Sequence, residues 1–76
     1  MNMNKDEIPT LTIKVNGQDR NVAKGANLAG LLGELRLDAD KVAIEHNGGL
    51  VEPALYASAV LNAGDRLEIV HFVGGG

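Results

Sequence analysis

The first third of the chain alternates apolar and polar side chains. In LTIKVNG, residues 11–17, the apolar positions share one side: Leu11, Ile13 and Val15. A period of two is typical of a half-buried β-strand. The pair Asn16-Gly17 follows, and it is a strong hairpin signal because both residues tolerate a positive φ. We therefore predict a hairpin whose second strand, within residues 18–24, turns Val22 inward.

The spacing then changes to that of a helix. In NLAGLLGELRL, residues 27–37, leucines recur at i, i+3, i+4 and i+7 and form one stripe: Leu28, Leu31, Leu32 and Leu35. Asn27 is a suitable N-cap. Gly30 and Gly33 each cost about 1 kcal/mol relative to alanine in a helix. We interpret them as allowing close packing of helix against sheet; the alternative is a weak helix held only by its leucines.

The second half predicts strands again. VAIEHNGG, residues 42–49, indicates a third strand with a turn at its end, and LVEP, residues 50–53, a short extended piece. Residues 54–61 predict a brief helical turn, residues 62–65 a turn, and RLEIVHFV, residues 66–73, the last strand. This order predicts an α+β fold in two layers, a mixed sheet of four to five strands with one main helix across one face. That is the β-grasp arrangement of ubiquitin.

The length of 76 residues predicts one domain. We expect a flexible polar extension over residues 1–9, the β-grasp domain over 10–73 and a flexible glycine tail over 74–76. With one Phe, one Tyr and no Trp, the core has to be mainly aliphatic.

Composition narrows the chemistry. The chain has no cysteine, which excludes disulfides, thiolate metal sites and a thiol nucleophile. Two histidines, His46 and His71, are too few to favour a metal site, and neither has a sequence partner for acid–base catalysis, so we expect structural roles. A net charge of -3 argues against nucleic acid as a partner. No apolar run is long enough for a membrane span, and we expect a cytoplasmic protein.

The last strand predicts a two-sided surface. Its helix-facing positions are Leu67 and Ile69, and those facing away are Arg66, Glu68, Val70 and Phe72. One helix cannot cover both faces of the sheet, so we expect Val70 and Phe72 to be partly exposed and to form a docking surface. The alternative is that Phe72 folds over a local edge and is buried.

The chain ends in three glycines, Gly74, Gly75 and Gly76. They offer only backbone and a terminal carboxylate, and without a Cβ they can enter a narrow tunnel in an enzyme. An extended tail of three residues reaches about 10 Å. The carboxylate of Gly76 would need a better leaving group to react, which adenylation by ATP on a partner enzyme supplies. The alternatives are a frayed terminus or a linker.

Four stretches carry a family resemblance: VNG (15–17), LAGLLGELRL (28–37), VAIEHNG (42–48) and LNAGDRLEIVHFVGGG (61–76). Together they resemble the thiamine-biosynthesis sulfur carriers, the ThiS family, over the chain from about Leu11 onward. The terminal segment is the most specific. The helix and hairpin alone fit any β-grasp domain.

The resemblance implies a carrier rather than an enzyme, with no bound cofactor and most simply a monomer. It implies that a ubiquitin-activating-type adenylyltransferase uses ATP to adenylate Gly76. Sulfur from cysteine, passed through a cysteine desulfurase persulfide, then yields a thiocarboxylate that donates sulfur to thiazole synthase. Gly75 and Gly76, led by Val73 and Gly74, would thread the partner's active site. The apolar sheet face, here Val70 and Phe72, would dock against it.

The sequence also departs from the family pattern. Glu52-Pro53 stands where family members often have Pro-Arg, and Tyr56 stands where they often have Trp. The alternatives that remain are a molybdopterin-synthase small subunit, a sulfur carrier for another metabolite, a protein modifier joined through Gly76, and a binding module with an inert tail. The first usually has prolines before its glycines, and this chain has none after Pro53.

Overall fold

The computed structural model describes residues 9–72. It contains five strands and one α-helix: β1 (Thr10–Val15), β2 (Gln18–Ala23), α1 (Leu28–Leu35), β3 (Val42–His46), β4 (Gly49–Val51) and β5 (Arg66–His71). Two short 3₁₀ helices occupy Ala39–Lys41 and Pro53–Ser58. The predicted order of elements is confirmed. The predicted boundaries at residues 9–10 and 73–74 remain predictions, because residues 1–8 and 73–76 lie outside the described residues.

The strands form one mixed sheet in the order β2-β1-β5-β3-β4. The pairs β1–β2, β3–β4 and β3–β5 are antiparallel, whereas β1 and β5 are parallel. The last described strand therefore lies in the middle of the sheet, between the two hairpins. This topology confirms the predicted α+β architecture of the β-grasp type and places the segment before the glycines on the central strand.

Helix α1 crosses one face of the sheet and closes the core. The fully buried large side chains come from both layers: Ile13, Leu28, Leu31, Ile44, Leu61 and Leu67. Val22 is buried, as the hairpin prediction requires. Tyr56 is 3% exposed and is the aromatic member of this otherwise aliphatic core. The Tyr56 position therefore contributes packing, whichever aromatic residue occupies it.

The ends of α1 follow from local chemistry. The Asn27 side chain accepts a hydrogen bond from the Gly30 N–H at 2.8 Å, the N-cap that the sequence predicts. Arg36 closes the helix in the left-handed region, with φ at 59°. Our interpretation of the helix glycines is wrong. Gly30 and Gly33 are exposed, and a Cβ at Gly33 would meet nothing within 4 Å. The helix is held by its leucines.

Candidate docking surface and carrier tail

Strand β5 has one buried and one exposed face. Leu67 and Ile69 are buried under α1, while Val70 and Phe72 are 58% and 51% exposed. The predicted exposure is confirmed, and the alternative of a buried Phe72 is wrong. Since large apolar side chains on a sheet face are costly to leave in water, their exposure marks a surface suited to a partner.

The neighbouring strand extends this surface. Ala43 of β3 lies directly opposite Val70, so Ala43, Val70 and Phe72 form what we call the outer patch. Next to it along the sheet, Glu45 lies opposite Glu68, and both are exposed. The face therefore changes from charged to apolar toward the carboxyl end of β5, as the sequence predicts.

The outer patch reaches the point where the tail begins. The Phe72 N–H donates to the Lys41 carbonyl oxygen at 2.7 Å, so the sheet still holds the chain at its last described residue. Val73, Gly74, Gly75 and Gly76 lie outside the described residues, and their roles remain predictions. Any partner that receives residues 73–76 has to approach this end of β5.

The opposite end of β5 is built around a buried carboxylate. Asp65 is 7% exposed. Its Oδ2 accepts from the Asn62 backbone N–H at 2.8 Å and lies 2.7 Å from His46 Nε2, which therefore donates its proton. Its Oδ1 accepts from the Asn47 side-chain amide at 3.1 Å. This polar cluster ties the β3–β4 turn to the turn before β5.

These contacts decide the ionisation of Asp65. Burial by itself would raise the pKa of the carboxyl group. The Asn62 N–H, the His46 and Asn47 side chains and the charge of His46 outweigh burial and hold the pKa of Asp65 below its usual value. Asp65 is therefore a stably ionised structural group.

The structural role expected of His46 is confirmed by its hydrogen bond to Asp65. The sequence did not reveal this partner, because Asp65 lies 19 residues away, across a turn that no local pattern links to β3. His71 is exposed on the α1 side of β5 and lines a groove there. Within residues 9–72, no group of three His, Cys, Asp or Glu side chains could hold a metal ion.

Two asparagines, which sequence reasoning treated only as turn residues, also fasten β5. Asn16 donates through Nδ2 to the Ile69 carbonyl oxygen at 3.1 Å and accepts the Ile69 N–H at 2.7 Å. Asn47 accepts the Arg66 N–H at 2.8 Å. Both adopt positive φ at Asn-Gly turns, at 50° and 52°, which aims their side chains back at β5. Periodicity could not reveal these contacts.

Comparison with known proteins decides the family. The model of the ThiS family matches residues 13–76, which include the helix, the central strand and the three glycines. The chain belongs to the ThiS family. The crystal structure of a thiamine biosynthesis protein (ThiS) from Geobacter metallireducens shares 32% identity and superposes with a TM-score of 0.74, over 87% of this chain and 100% of that one.

Proteins of two other kinds are also similar to this member of the ThiS family. Thiazole synthases from Paramagnetospirillum magneticum and Magnetococcus marinus are 44% and 41% identical over 66 residues. Those residues are 87% of this chain but only 20% of each synthase, so the chain spans about a fifth of their length. An uncharacterized protein ycf40 from Pyropia yezoensis is 38% identical over 87% of this chain and 93% of its own length.

The likeness also extends to ubiquitin-type folds. A computationally designed protein based on human erythrocytic ubiquitin superposes with a TM-score of 0.53 at 19% identity, which shows a shared fold alone.

None of the helices in residues 9–72 combines the length and apolar character that crossing a membrane demands.

Proposed function

We propose that this ThiS-family domain is a sulfur carrier for the synthesis of the thiazole ring of thiamine. The observation that carries the proposal is the family match, which continues through the three glycines to residue 76. The chemistry takes place on the tail, and partner enzymes recognise the folded domain. It acts as a protein substrate rather than as an enzyme.

The reaction needs an activated carboxylate. On a ubiquitin-activating-type adenylyltransferase, a Gly76 carboxylate oxygen attacks the α-phosphorus of ATP, pyrophosphate leaves, and an acyl adenylate forms. The terminal sulfur of a persulfide, charged by a cysteine desulfurase, attacks the carbonyl carbon and expels AMP. A second thiol then reduces the acyl disulfide and releases the Gly76 thiocarboxylate. The chain itself has no cysteine, so no thiol of its own competes for the persulfide.

The described geometry suits this role. Sheet hydrogen bonding holds β5 up to Phe72, so the tail starts from a fixed point. The outer patch lies beside that point, with Val70 and Phe72 more than half exposed. A partner that covers this patch would bury apolar area and position the tail at the same time.

Thiazole synthase is the partner that we propose for sulfur delivery. Two thiazole synthases contain a segment about 40% identical to this chain within their own sequence. Covalent linkage would keep a carrier domain next to the enzyme it supplies, which raises the effective concentration. Docking through the outer patch would position the tail for the same encounter.

Intact-mass spectrometry tests the proposal. The purified protein would be incubated with ATP, a cognate adenylyltransferase, cysteine desulfurase and cysteine. We expect replacement of one oxygen by sulfur, and fragmentation should place it on Gly76. Placement is essential because oxidation of Met1 or Met3 changes the mass almost equally. An unmodified Gly76, with an enzyme active on a control carrier, would refute the proposal.

A deletion variant separates carrier function from folding. Removal of Gly76 should abolish thiocarboxylate formation and leave the denaturation curve unchanged, because glycine has no side chain to contribute to the core. Addition of one alanine after Gly76 is the matched control for blocking the terminus without shortening the chain. Transfer of the domain to lysines of other proteins, seen as discrete higher masses in extract, would favour a protein modifier instead.

A further inference from the structure

Strand β5 continues beyond the end of its neighbour β1. The parallel pairing of the two strands includes only Lys14 with Arg66 and Val15 with Leu67. At Asn16 the chain turns away into the first hairpin. Up to Val42, β3 continues to pair with β5. Among residues 9–72, therefore, the end of β5 has a strand on one side only.

The hydrogen bonds show which backbone groups face the open side. The carbonyl oxygens of Asp65 and Leu67 accept from β1 and Asn16, whereas the Phe72 N–H donates toward Lys41 before β3. Successive residues of a strand direct their N–H and C=O groups to opposite sides. The N–H and C=O of His71 therefore point to the side of β5 on which β1 has already ended. We call these two groups the free edge.

At Ile69, two residues before His71, a side chain takes the place of a neighbouring strand. The Asn16 amide both donates to and accepts from the backbone of Ile69, which is what a residue of a paired strand would do. This edge of β5 therefore already binds an amide group. The next position, at His71, offers the same donor and acceptor to another amide.

A groove lies directly beneath the free edge. It encloses about 430 Å³, and its apolar lining comes from β1, α1, the segment after α1 and β5: Val15, Leu35, Leu37 and Ile69. Polar side chains complete the lining: Asn16, Gln18, Asp19, Arg20 and His71. The volume is in the range that holds ligand groups. An apolar side chain with polar groups around it would fill this groove.

We propose that an extended segment of thiazole synthase adds to β5 at His71, in line with β1. Its backbone pairs with the free edge, and one apolar side chain enters the groove. Addition of a strand to an open sheet edge is a common mode of peptide recognition. This inference rests on the proposed function, because the occupant is the protein that receives the tail.

The position of the free edge, close to the start of the tail, favours thiazole synthase as the protein that binds there. Residues 73–76 span at most about 14 Å when extended. A protein that binds the end of the tail therefore has to lie close to His71. In those thiazole synthases, the segment similar to this chain also belongs to the same polypeptide as the rest of the synthase. The same partner would then contact two parts of the sheet: the backbone of β5 at the free edge and the exposed side chains of the outer patch.

Amide hydrogen exchange followed by NMR tests the free edge. In the free protein, we expect the His71 amide to exchange rapidly, whereas the neighbouring Phe72 amide, bonded to Lys41, exchanges slowly. Saturating recombinant thiazole synthase should slow the His71 amide by about tenfold or more. A His71 amide that is already protected in the free protein would overturn the proposal, because residues of the chain itself would then occupy the edge.

A proline substitution tests the same contact by affinity. His71→Pro removes the N–H that faces the open side and leaves the Phe72 bond to Lys41 in place. We expect it to weaken binding to thiazole synthase by about tenfold or more. His71→Ala retains the N–H and should weaken binding by about threefold or less. Equal affinities of the two folded variants would contradict edge pairing, and the exchange experiment still decides if the proline variant does not fold.

The two proposals fail in different ways. If the unmodified protein does not bind thiazole synthase, the partner assignment under the proposed function is wrong and this inference falls with it. If the protein binds, and Phe72→Ala weakens binding while the His71 amide remains unprotected, only the edge contact is wrong. The Gly76 mass measurement remains independent of both results.

Discussion

The two ends of β5 are built on opposite principles. At its beginning, the carboxylate of Asp65 is buried and receives three hydrogen bonds from Asn62, Asn47 and His46. At its end, Val70 and Phe72 are exposed, and His71 has an unpaired side within the described residues. The polar cluster secures the fold at the beginning of β5. The end beside the tail keeps exposed apolar and backbone groups, which are the groups that the proposed function assigns to a partner.

The largest stability effect should come from Asp65→Ala. This change leaves the Asn62 N–H and the Asn47 amide without their acceptor in a partly buried site, at a cost of about 2–4 kcal/mol. Urea denaturation measures it. Asp19→Ala is the matched control, because Asp19 forms only an exposed salt bridge with Lys14 and should cost less than about 1 kcal/mol. Equal losses would mean that the cluster does not secure this end of β5.

A smaller loss should follow Asn16→Asp, which acts at the middle of β5. The new carboxylate still accepts the Ile69 N–H, but it sets an oxygen against the Ile69 carbonyl oxygen in place of a donor. We expect a cost of about 1–2 kcal/mol by denaturation. Asn21→Asp, where the exposed side-chain oxygen accepts only from Thr12, should change stability little. An unaffected Asn16→Asp variant would show that the side chain does not fasten β5.

Acid should weaken the beginning of β5 selectively. The pKa of Asp65 is lowered in the folded state, so the folded state binds the proton less readily than the unfolded state. The resulting stability is complete above the ordinary carboxyl pKa of 3.8 and is lost as the pH falls from there through the lower folded-state value. Denaturation at a series of acidic pH values measures this loss. In Asp65→Asn, which cannot titrate, the dependence on pH should become shallower.

The smallest stability effect should accompany Phe72→Ala at the open end. About half of the side chain is exposed, so we expect a cost of about 1 kcal/mol or less. Affinity for the adenylyltransferase or thiazole synthase should nevertheless fall by about tenfold or more. Leu55→Ala is the control, because Leu55 is 54% exposed on the 3₁₀ helix rather than on the sheet. A large stability loss with unchanged affinity would make Phe72 a core residue.

Local periodicity was sufficient for much of this architecture. The alternation in residues 11–17 predicted β1 and its Asn-Gly turn, and the leucine spacing predicted α1. Parity along residues 66–73 identified Val70 and Phe72 as exposed, because alternation assigns each side chain to one face whichever strands lie alongside. The leucine stripe also places Gly30 and Gly33 on the opposite side of α1, so the helical period itself argues against our packing interpretation of these glycines.

Contacts between distant residues were beyond the sequence pattern. Asn16 and Ile69 are 53 positions apart, and Asp65 meets His46 only because β5 inserts between the two hairpins. These contacts depend on strand order, which hydrophobic spacing does not specify. The groove under His71 has the same origin, because it exists only where β1 turns away and β5 continues.

The central position of the last described strand has a consequence for synthesis of the protein. Both hairpins leave the ribosome before β5 does. Until β5 arrives, β1 and β3 each have an edge with no neighbouring strand. Domains fold as units during translation, so the sheet can close only after residues 66–71 emerge. The segment that completes the fold directly precedes the glycines. A chain that stops before residue 66 therefore lacks the strand that joins the two hairpins, and with it Val70 and Phe72 of the outer patch.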